Sequence, residues 1–207
     1  MAAIFLEIHP ENPEKRKIQQ AVDIIRDGGL VIYPTDTLYG LGCDITKNRS
    51  VERICRIKGI KPQKASFSFI CSDLSNISIY TKPFSNSIYK IMRKNLPGPF
   101  TFILKASTQV PKMIKNNRKT VGIRVPNSPI VSDLLQHLEY PIMSTSIKKD
   151  DDITPYPTDP YEIYETYKHQ VDLVIDGGFG GHTPSTVVSC LGDEPEILRE
   201  GLGELIY

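Results

Sequence analysis

The chain has 207 residues, of which 40% are hydrophobic and 24% charged, and its formal net charge is +1 at pH 7. This composition is ordinary for a globular protein, and the length suits a single domain, residues 1–207, with a full hydrophobic core. The net charge says little about partners, because local clustering of charge decides nucleic-acid binding. No apolar run approaches the roughly 18 residues of a membrane span, so we expect no membrane partner.

The N-terminal sequence and the cysteines both predict a cytoplasmic protein. The segment MAAIFLEIHPENPEK has no basic residues before its apolar stretch and acids directly after it, which is unlike a signal peptide. Cys43, Cys55, Cys71 and Cys190 form no CxxC pair and are predicted to be reduced, mostly buried thiols. The four histidines fit no metal-ligand spacing, so no metal site is predicted.

Strands and helices are predicted to alternate through the first half of the chain. Helical spacing of apolar residues predicts a helix that begins near Glu14 and ends at Gly28-Gly29. A second helix is predicted to begin with Asn48 or Ser50 as its cap and to end at Gly59. Strands are predicted at AIFLEI, Leu30–Tyr33 and SFSFIC.

The second half continues the same alternation. Helices are predicted over Ser85–Lys94 and Pro129–Leu138, and a short one after the polar, proline-spaced loop at Lys148–Pro160. Strands are predicted at FTFILK, TVGIRV, PIMSTS, VDLVID, STVVSC and EILRE. These elements predict an α/β fold, in which a twisted, mixed sheet is flanked by helices.

Polar side chains stand at the ends of several predicted strands. The segments concerned are YPTDT, GIRVP, MSTS, PSTVV and LREG. Ligands of open α/β sheets bind in the crevice beyond strand ends. Ser and Thr hydroxyls donate and accept hydrogen bonds there, and Arg offers a planar fork for phosphate or carboxylate. One such segment is more simply a turn with β-prone threonines, but five together predict a site for an anionic, oxygen-rich ligand.

The segment VIYPTDTLYGLGC, residues 31–43, shows this pattern most densely. Its first apolar residues predict a buried strand, and the polar residues and glycines that follow predict a loop. Gly40 and Gly42 are expected to let the backbone approach ligand atoms closely. Asp36 is interpreted as a turn residue that bonds its own backbone, in preference to a catalytic group.

Arg124 lies inside the apolar strand TVGIRV. Because a buried guanidinium needs a paired anion, we rank a phosphate or carboxylate ligand above a structural ion pair as its partner.

These segments occur, together with RICRIKGIKP and LPGPFTFIL, in the order found in the YrdC/YciO family, and the chain resembles that family from about Ile18 to Leu205. The stretches IHPENP and RKTVGIRVPNSPI resemble its YciO branch. The resemblance implies one α/β domain whose twisted sheet lines a concave, electropositive cavity. It also implies the activity of threonylcarbamoyl-AMP synthases, which join L-threonine, bicarbonate and ATP into threonylcarbamoyl-adenylate and release pyrophosphate during t6A modification of tRNA.

The resemblance assigns roles to residues of this chain. It implies that the amino-acid substrate is held by Thr35, Tyr39, Thr120 and Arg124. It implies that ATP or AMP is held by Lys58, Ser144, Ser146, Ser185 and Arg199, with Lys58 and Arg124 as the catalytic cations. Mg²⁺ is expected to accompany ATP on its phosphates, with no permanent cofactor.

Two positions depart from the family's signatures. The K-x-R signature reads Lys58-Gly59-Ile60, and the S-x-N signature reads Ser146-Ile147-Lys148. Isoleucine has no donor for a phosphate, so synthase activity is expected to be weakened. Lys61 or Lys64 supplies charge nearby, but not the bidentate fork of an arginine.

A non-catalytic RNA-binding protein of the same fold is the alternative, since the family has also been described as binding double-stranded RNA and tRNA. Two basic groups are candidates for phosphate contacts: Lys58, Lys61 and Lys64, and Lys112, Lys115, Arg118 and Lys119. No aromatic residues are interleaved with them, which argues against sequence-specific reading of single strands. On net charge alone, a solvated basic face is the favoured explanation of both groups.

Overall fold

The computed structural model describes residues 2–62, 65, 67–75, 77–111, 119–147 and 155–207. The helices are α1 (Lys15–Arg26), α2 (Asn48–Lys58), α3 (Ile77–Tyr80), α4 (Asn86–Asn95), α5 (Pro129–Leu138) and α6 (Pro160–Tyr167). The strands are β1 (Ile4–Glu7), β2 (Val31–Tyr33), β3 (Gly40–Asp44), β4 (Ser68–Ile70), β5 (Phe100–Lys105), β6 (Thr120–Arg124), β7 (Ile142–Ser146), β8 (Leu173–Asp176), β9 (Thr186–Ser189) and β10 (Glu196–Arg199).

All of these strands belong to one ten-stranded sheet with the order β1-β8-β2-β3-β7-β4-β6-β5-β9-β10. The sheet is mixed: β1 and β2 run parallel to β8, β4 to β6, and β5 to β9, whereas β3 and β7 pair antiparallel with their neighbours. The predicted fold class, an α/β fold around a twisted mixed sheet, is confirmed.

Apolar side chains fill both faces of the sheet. On one face, Ile18, Val22 and Ile25 of α1 pack in the same cluster as Leu134 and Leu138 of α5. The larger cluster on the other face includes buried side chains of α2 and α4. In β2, successive side chains go to alternate clusters, because side chains alternate across a strand.

Local sequence signals mark several helix ends, of which the end of α2 at Gly59 was predicted. Ser85 caps α4 by accepting a hydrogen bond from the backbone N–H of Ile88, and Ser128 caps α5 in front of Pro129. Gly59 ends α2 in the left-handed region, with φ 69°.

The predicted cap of α2 is wrong. The capping position is Lys47, which makes no side-chain capping bond, and neither Asn48 nor Ser50 takes this role. The Ser50 hydroxyl instead donates to the carbonyl of Gly28 at 2.6 Å, so it ties α2 to the turn after α1.

The loop predicted at Gly40 and Gly42 is also corrected, because these residues lie in β3, whose residues are all buried. A Cβ on Gly42 would stand 2.6 Å from Ile142 Cγ2 and 3.0 Å from Tyr33 Cε1. Both glycines therefore serve close packing within the sheet. The turn is confined to the residues between β2 and β3.

Among the described residues, no helix is long and apolar enough to cross a membrane.

Candidate functional site

A concave cavity of about 690 Å³ opens over the central and C-terminal strands of the sheet. This volume falls within the range of about 300–1,000 Å³ that is usual for small-molecule sites. Eight of the nine predicted site residues line it: Thr35, Tyr39, Thr120, Arg124, Ser144, Ser146, Ser185 and Arg199. Residues from all five of the polar segments singled out in the sequence therefore line one cavity.

Arg124, at the end of β6, is the most buried charged group in the described wall of the cavity. Its Nη2 donates to Asp36 Oδ1 at 2.9 Å and to Thr37 Oγ1 at 3.0 Å. The side chains of Arg124 and Asp36 are only 13% and 10% exposed. Burial lowers the pKa of Arg124, and the carboxylate of Asp36 opposes that effect. Arg124 thus forms a structural ion pair, which the sequence analysis had ranked below a phosphate or carboxylate ligand as its partner.

The ion pair leaves part of the guanidinium unsatisfied. Arg124 Nε is buried and has no hydrogen-bond partner among the described residues. Buried polar atoms in proteins are nearly always hydrogen-bonded, so an unpaired donor in a cavity wall points to a partner that binds there.

Asp36 bonds outside its own turn, unlike the self-contained turn residue that the sequence predicted. Its Oδ1 accepts from Arg124, and its Oδ2 accepts from the backbone N–H of Asn127 at 3.0 Å. The carboxylate therefore links the turn after β2 to the loop after β6. No local sequence signal indicates this contact, which spans 88 residues along the chain.

Ser144 of β7 lines the cavity and is hydrogen-bonded to Tyr33, which does not line it. Tyr33 of β2 is fully buried, and its hydroxyl donates to Ser144 Oγ at 2.7 Å. Ser144 Oγ donates in turn to the carbonyl of Leu41 at 3.4 Å. Burial raises the pKa of Tyr33 to about 12, so its hydroxyl stays protonated at neutral pH. Sequence reasoning missed Tyr33 as a supporting residue.

Lys58, the remaining predicted residue, lies behind the wall of the cavity. It is 3% exposed, and its Nζ donates to the carbonyl of Ser146 at 3.1 Å and to Ser146 Oγ at 3.4 Å. Lys58 therefore supports a wall residue, and its charge lies next to the hydroxyl of Ser146.

Thr35 and Tyr39 shape one end of the cavity. Thr35 Oγ1 donates to the carbonyl of Leu38 at 2.7 Å and accepts from the backbone N–H of Thr37, so it holds the turn together. The Tyr39 hydroxyl donates to the carbonyl of Gly178 at 2.7 Å, which fixes its ring as an apolar wall. Burial raises the pKa of Tyr39 well above its usual value.

The other end is formed by β5, β9 and β10. Ser185 Oγ and Thr101 Oγ1 lie 2.8 Å apart in a hydrogen bond, and Arg199 Nη2 donates to the carbonyl of Ser185 at 2.8 Å. Arg199 is exposed on the edge strand. Thr101 was missed, although a threonine inside the apolar strand FTFILK is a usable signal.

Of the two positions that depart from the family signatures, only Ile60 is among the described residues. Ile60 lines the cavity, so a side chain at this position reaches the site. Lys148 lies outside the described residues. Among the described residues that line the cavity, two are arginines and none is acidic. Tyr156 and Leu198 also line the cavity and were not predicted from the sequence.

The predicted basic groups are described only in part. Lys64, Lys112, Lys115 and Arg118 lie outside the described residues. Lys61 and Lys119 are exposed, whereas Lys58 is buried and directed at Ser146. Among the described side chains, no group of three or more His, Cys, Asp or Glu residues is arranged to hold a metal ion.

The fold and the cavity define a sheet protein with a hydroxyl-lined, arginine-containing site, and comparison with known proteins identifies its family. The sequence model of the Sua5/YciO/YrdC family, described as "Telomere recombination", matches residues 23–201. The chain belongs to this family.

Relatives of two kinds are similar to the chain. The uncharacterized protein YciO of Escherichia coli is 43% identical over 203 residues, 97% of each chain, and its crystal structure superposes with a TM-score of 0.91 over 98% of this chain and 97% of that one. The crystal structure of Pyrococcus abyssi Sua5 complexed with L-threonine superposes with a TM-score of 0.87 at 30% identity, over 96% of this chain but 58% of that one. A threonylcarbamoyl-AMP synthase of Coxiella burnetii is 29% identical over 89% of this chain and 97% of its own length.

Proposed function

We propose that the protein binds ATP and L-threonine in this cavity and, with bicarbonate, forms threonylcarbamoyl-adenylate. The observation that carries the proposal is the unpaired, buried Nε of Arg124 in a cavity lined with serine and threonine hydroxyls. Family membership supports it, since relatives at about 30% identity are named threonylcarbamoyl-AMP synthases and one was crystallised with L-threonine.

The amino acid would lie at the end of the cavity formed by Thr35, Tyr39 and Arg124. Thr120, the fourth residue assigned to the amino acid, lines the cavity at the other end of β6 from Arg124. The carboxylate of the amino acid is the partner that suits Arg124 Nε, because carboxylates accept charge-assisted hydrogen bonds from guanidinium groups. The Asp36 carboxylate already balances part of the charge of Arg124. The ring of Tyr39 offers an apolar surface for the methyl group of threonine.

The nucleotide would lie against the serines of β7 and the C-terminal strands. Ser144, Ser146 and Ser185 offer hydroxyls to its oxygens, and Arg199 offers positive charge at the rim. Lys58, held behind Ser146, adds a fixed positive charge close to the phosphates.

In the proposed reaction, the amine of threonine forms an N–C bond with bicarbonate, which loses water to give a carbamate. An oxygen of this carbamate then attacks the α-phosphorus of ATP. The new bond is between a carbamate oxygen and phosphorus, and the bond to the β-phosphate breaks, so pyrophosphate leaves with the bonding electron pair. The protein's contribution is to position the reactants and to stabilise the charge that develops on phosphate oxygens. Mg²⁺ bound to ATP would supply further charge stabilisation on the phosphates.

The test is pyrophosphate release from ATP and Mg²⁺, measured with threonine and bicarbonate together and with each omitted. We expect release only when both are present, and a loss of at least tenfold in Arg124→Lys, which keeps the charge and removes Nε from the site. Glu165→Gln, an exposed helix residue paired with Lys168, is the matched control and should behave as wild type. Release that ignores threonine and bicarbonate, or is unaffected by Arg124→Lys, would contradict the proposal.

RNA binding without catalysis is the alternative function, and salt separates the two. RNA affinity that rests on phosphate contacts falls steeply as salt rises, whereas threonine-dependent binding of ATP should change little. Lys58 is buried and so unavailable to an RNA face, which leaves Lys61 and Lys119 as the exposed described members of the basic groups. Any RNA binding is therefore expected to be modest and tolerant of sequence. Tight binding that persists at high salt would contradict this expectation.

A further inference from the structure

We propose that Tyr33 is a positioning residue, which makes Ser144 a hydrogen-bond donor to an acceptor oxygen of the bound nucleotide. This inference rests on the proposed function, and it adds a residue that is outside the cavity wall.

The hydrogen-bond pattern around Ser144 defines the direction of its hydroxyl. A serine hydroxyl has one hydrogen to donate and lone pairs to accept. Ser144 Oγ accepts from the Tyr33 hydroxyl at 2.7 Å, a short and well-formed bond. Its own hydrogen is directed at the carbonyl of Leu41, at 3.4 Å, which is long for a hydroxyl donor. A ligand oxygen in the cavity is a better acceptor than this distant carbonyl.

Tyr33 is held in place by the sheet itself. It lies opposite Gly40 in the antiparallel pair of β2 and β3. A Cβ on Gly40 would stand 3.3 Å from Tyr33 Cζ, and a Cβ on Gly42 would stand 3.0 Å from Tyr33 Cε1. The two glycines therefore leave the space in which the tyrosine ring passes along β3 and brings its hydroxyl to Ser144.

The electrostatics favour an oxygen acceptor as the ligand atom. The positive charge of Arg124 is close enough to Tyr33 to oppose part of the effect of burial on the pKa of that hydroxyl. Tyr33 donates to Ser144, and a donor that itself accepts a hydrogen bond is strengthened by polarisation along the chain. Ser144 and Arg124 thus both present donors to the cavity, which suits phosphate, carboxylate or carbonyl oxygens and not an ammonium group.

The test is a double-mutant cycle on the affinity for ATP and Mg²⁺, measured by calorimetry. Tyr33→Phe keeps the ring and removes only the hydroxyl, and should weaken ATP binding about tenfold, which corresponds to about 1.4 kcal/mol. Ser144→Ala should weaken binding at least as much. The double variant should bind like Ser144→Ala alone, because the tyrosine acts only through the serine.

Tyr140→Phe is the matched control. The Tyr140 hydroxyl also donates to a side chain, Asp44 Oδ2, at 2.9 Å, but neither residue lines the cavity. It should leave ATP affinity unchanged even if it lowers the melting temperature. A merely structural role for Tyr33 would weaken binding equally in the presence and absence of Ser144.

The outcomes separate the positioning role from the proposed function. Wild-type protein that gives no heat with ATP and Mg²⁺ would overturn the proposed function and the positioning role with it. Wild-type binding with unchanged affinity in Tyr33→Phe, or additive effects in the cycle, would overturn the positioning role alone.

A measurement on the wild-type protein covers the case in which Tyr33→Phe does not fold. With tyrosines labelled with ¹³C at Cζ, the Tyr33 signal, assigned by its change in Ser144→Ala, should shift when ATP binds, and the Tyr140 signal should not. An unmoved Tyr33 signal at saturating ATP would overturn the proposal.

Discussion

For Arg124, a structural ion pair and an anionic ligand were considered as alternative partners from the sequence. A buried cation is costly unless an anion lies beside it, and Asp36 meets that requirement at 2.9 Å. The pair occupies Nη2 and leaves Nε without a described partner. The ion pair with Asp36 therefore meets only part of the hydrogen-bonding capacity of the guanidinium.

Removal of Asp36 should destabilise the protein strongly. In Asp36→Ala, Arg124 becomes a buried cation without its ion pair, and the Asn127 amide loses its acceptor. We expect the free energy of unfolding to fall by about 3–5 kcal/mol, measured by urea denaturation. The matched control, Glu165→Ala, removes an exposed pair with Lys168 and should cost less than about 1 kcal/mol. An effect of Asp36→Ala as small as that of the control would show that the buried pair is not important for stability.

Ile60 and Lys148 should limit the proposed synthase activity. Because Ile60 lines the cavity, Ile60→Arg would bring a bidentate phosphate donor to the site. Lys148→Asn would supply the amide of the family signature at a position outside the described residues. Residues that act on one transition state are strongly non-additive, so each change alone should help little. The double variant should raise threonine-dependent pyrophosphate release well above wild type.

The double variant needs a check on folding and binding before its rate is interpreted. If it retains the wild-type melting temperature, binds ATP and shows no gain in pyrophosphate release, these two positions do not explain the difference from the synthases. The non-catalytic alternative would then be favoured.

At the scale of elements, β3 shows where local reasoning fails. Glycine is uncommon in strands and usual in turns, so Gly40 and Gly42 were predicted to belong to a loop. The strand pairing of β3 depends on β2 and on β7, which lies about 100 residues away along the chain. The demand for glycine comes from Tyr33 and Ile142, which are contacts that no local pattern records.

Gly42→Ala should therefore destabilise the sheet. The added Cβ would stand 2.6 Å from Ile142 Cγ2, and β2, β3 and the part of β7 that contains Ile142 are buried, so little movement is available. We expect a loss of about 1–3 kcal/mol in the free energy of unfolding, measured by urea denaturation. Gly192→Ala is the control: its Cβ would have no neighbour within 4 Å, and its effect should be within about 0.5 kcal/mol. Equal effects at the two glycines would contradict the packing argument.

Elements with strong local signals were predictable, and so were the wall residues near strand ends. The helix at Pro129–Leu138 was predicted to the residue, because Ser128 and Pro129 mark its start and an apolar stripe fixes its face. Supporting residues such as Tyr33 and Asp36 were not predictable, because their roles depend on strand register and on contacts between distant segments. For the same reason, the sequence did not reveal that Lys58 lies behind Ser146.

At the scale of the whole molecule, the site exists only when the sheet is complete. The hydrogen bond from Tyr33 to Ser144 spans 111 residues, and the one between Thr101 and Ser185 spans 84. Each end of the cavity thus combines segments that lie far apart along the chain. Loss of global stability should therefore remove the binding site as a unit, so the conditions that limit stability also limit function.

Alkaline pH is one such condition, because the cysteines are buried as neutral thiols. Burial raises the pKa of Cys71 to about 12 and that of Cys190 to about 11, and it raises the pKa of Cys43 and Cys55 as well. In the unfolded chain a thiol loses its proton at about pH 8.5. Above that pH the unfolded state holds fewer protons than the folded state, so stability falls as pH rises.

The thiol contribution is fully present below about pH 8.5 and is lost progressively up to about pH 12, with each thiol lowering the free energy of unfolding by up to about 1.4 kcal/mol per pH unit. Cys71→Ala should make the decline between pH 9 and pH 11 shallower by about that amount, measured by urea denaturation at each pH. Val188→Ala, at another buried position, is the control. It should lower the free energy of unfolding at pH 8 about as much as Cys71→Ala does, and it should leave the decline with pH as steep as in wild type. If the stability of Cys71→Ala declines with pH as steeply as that of wild type, the burial of Cys71 does not contribute to the alkaline loss of stability.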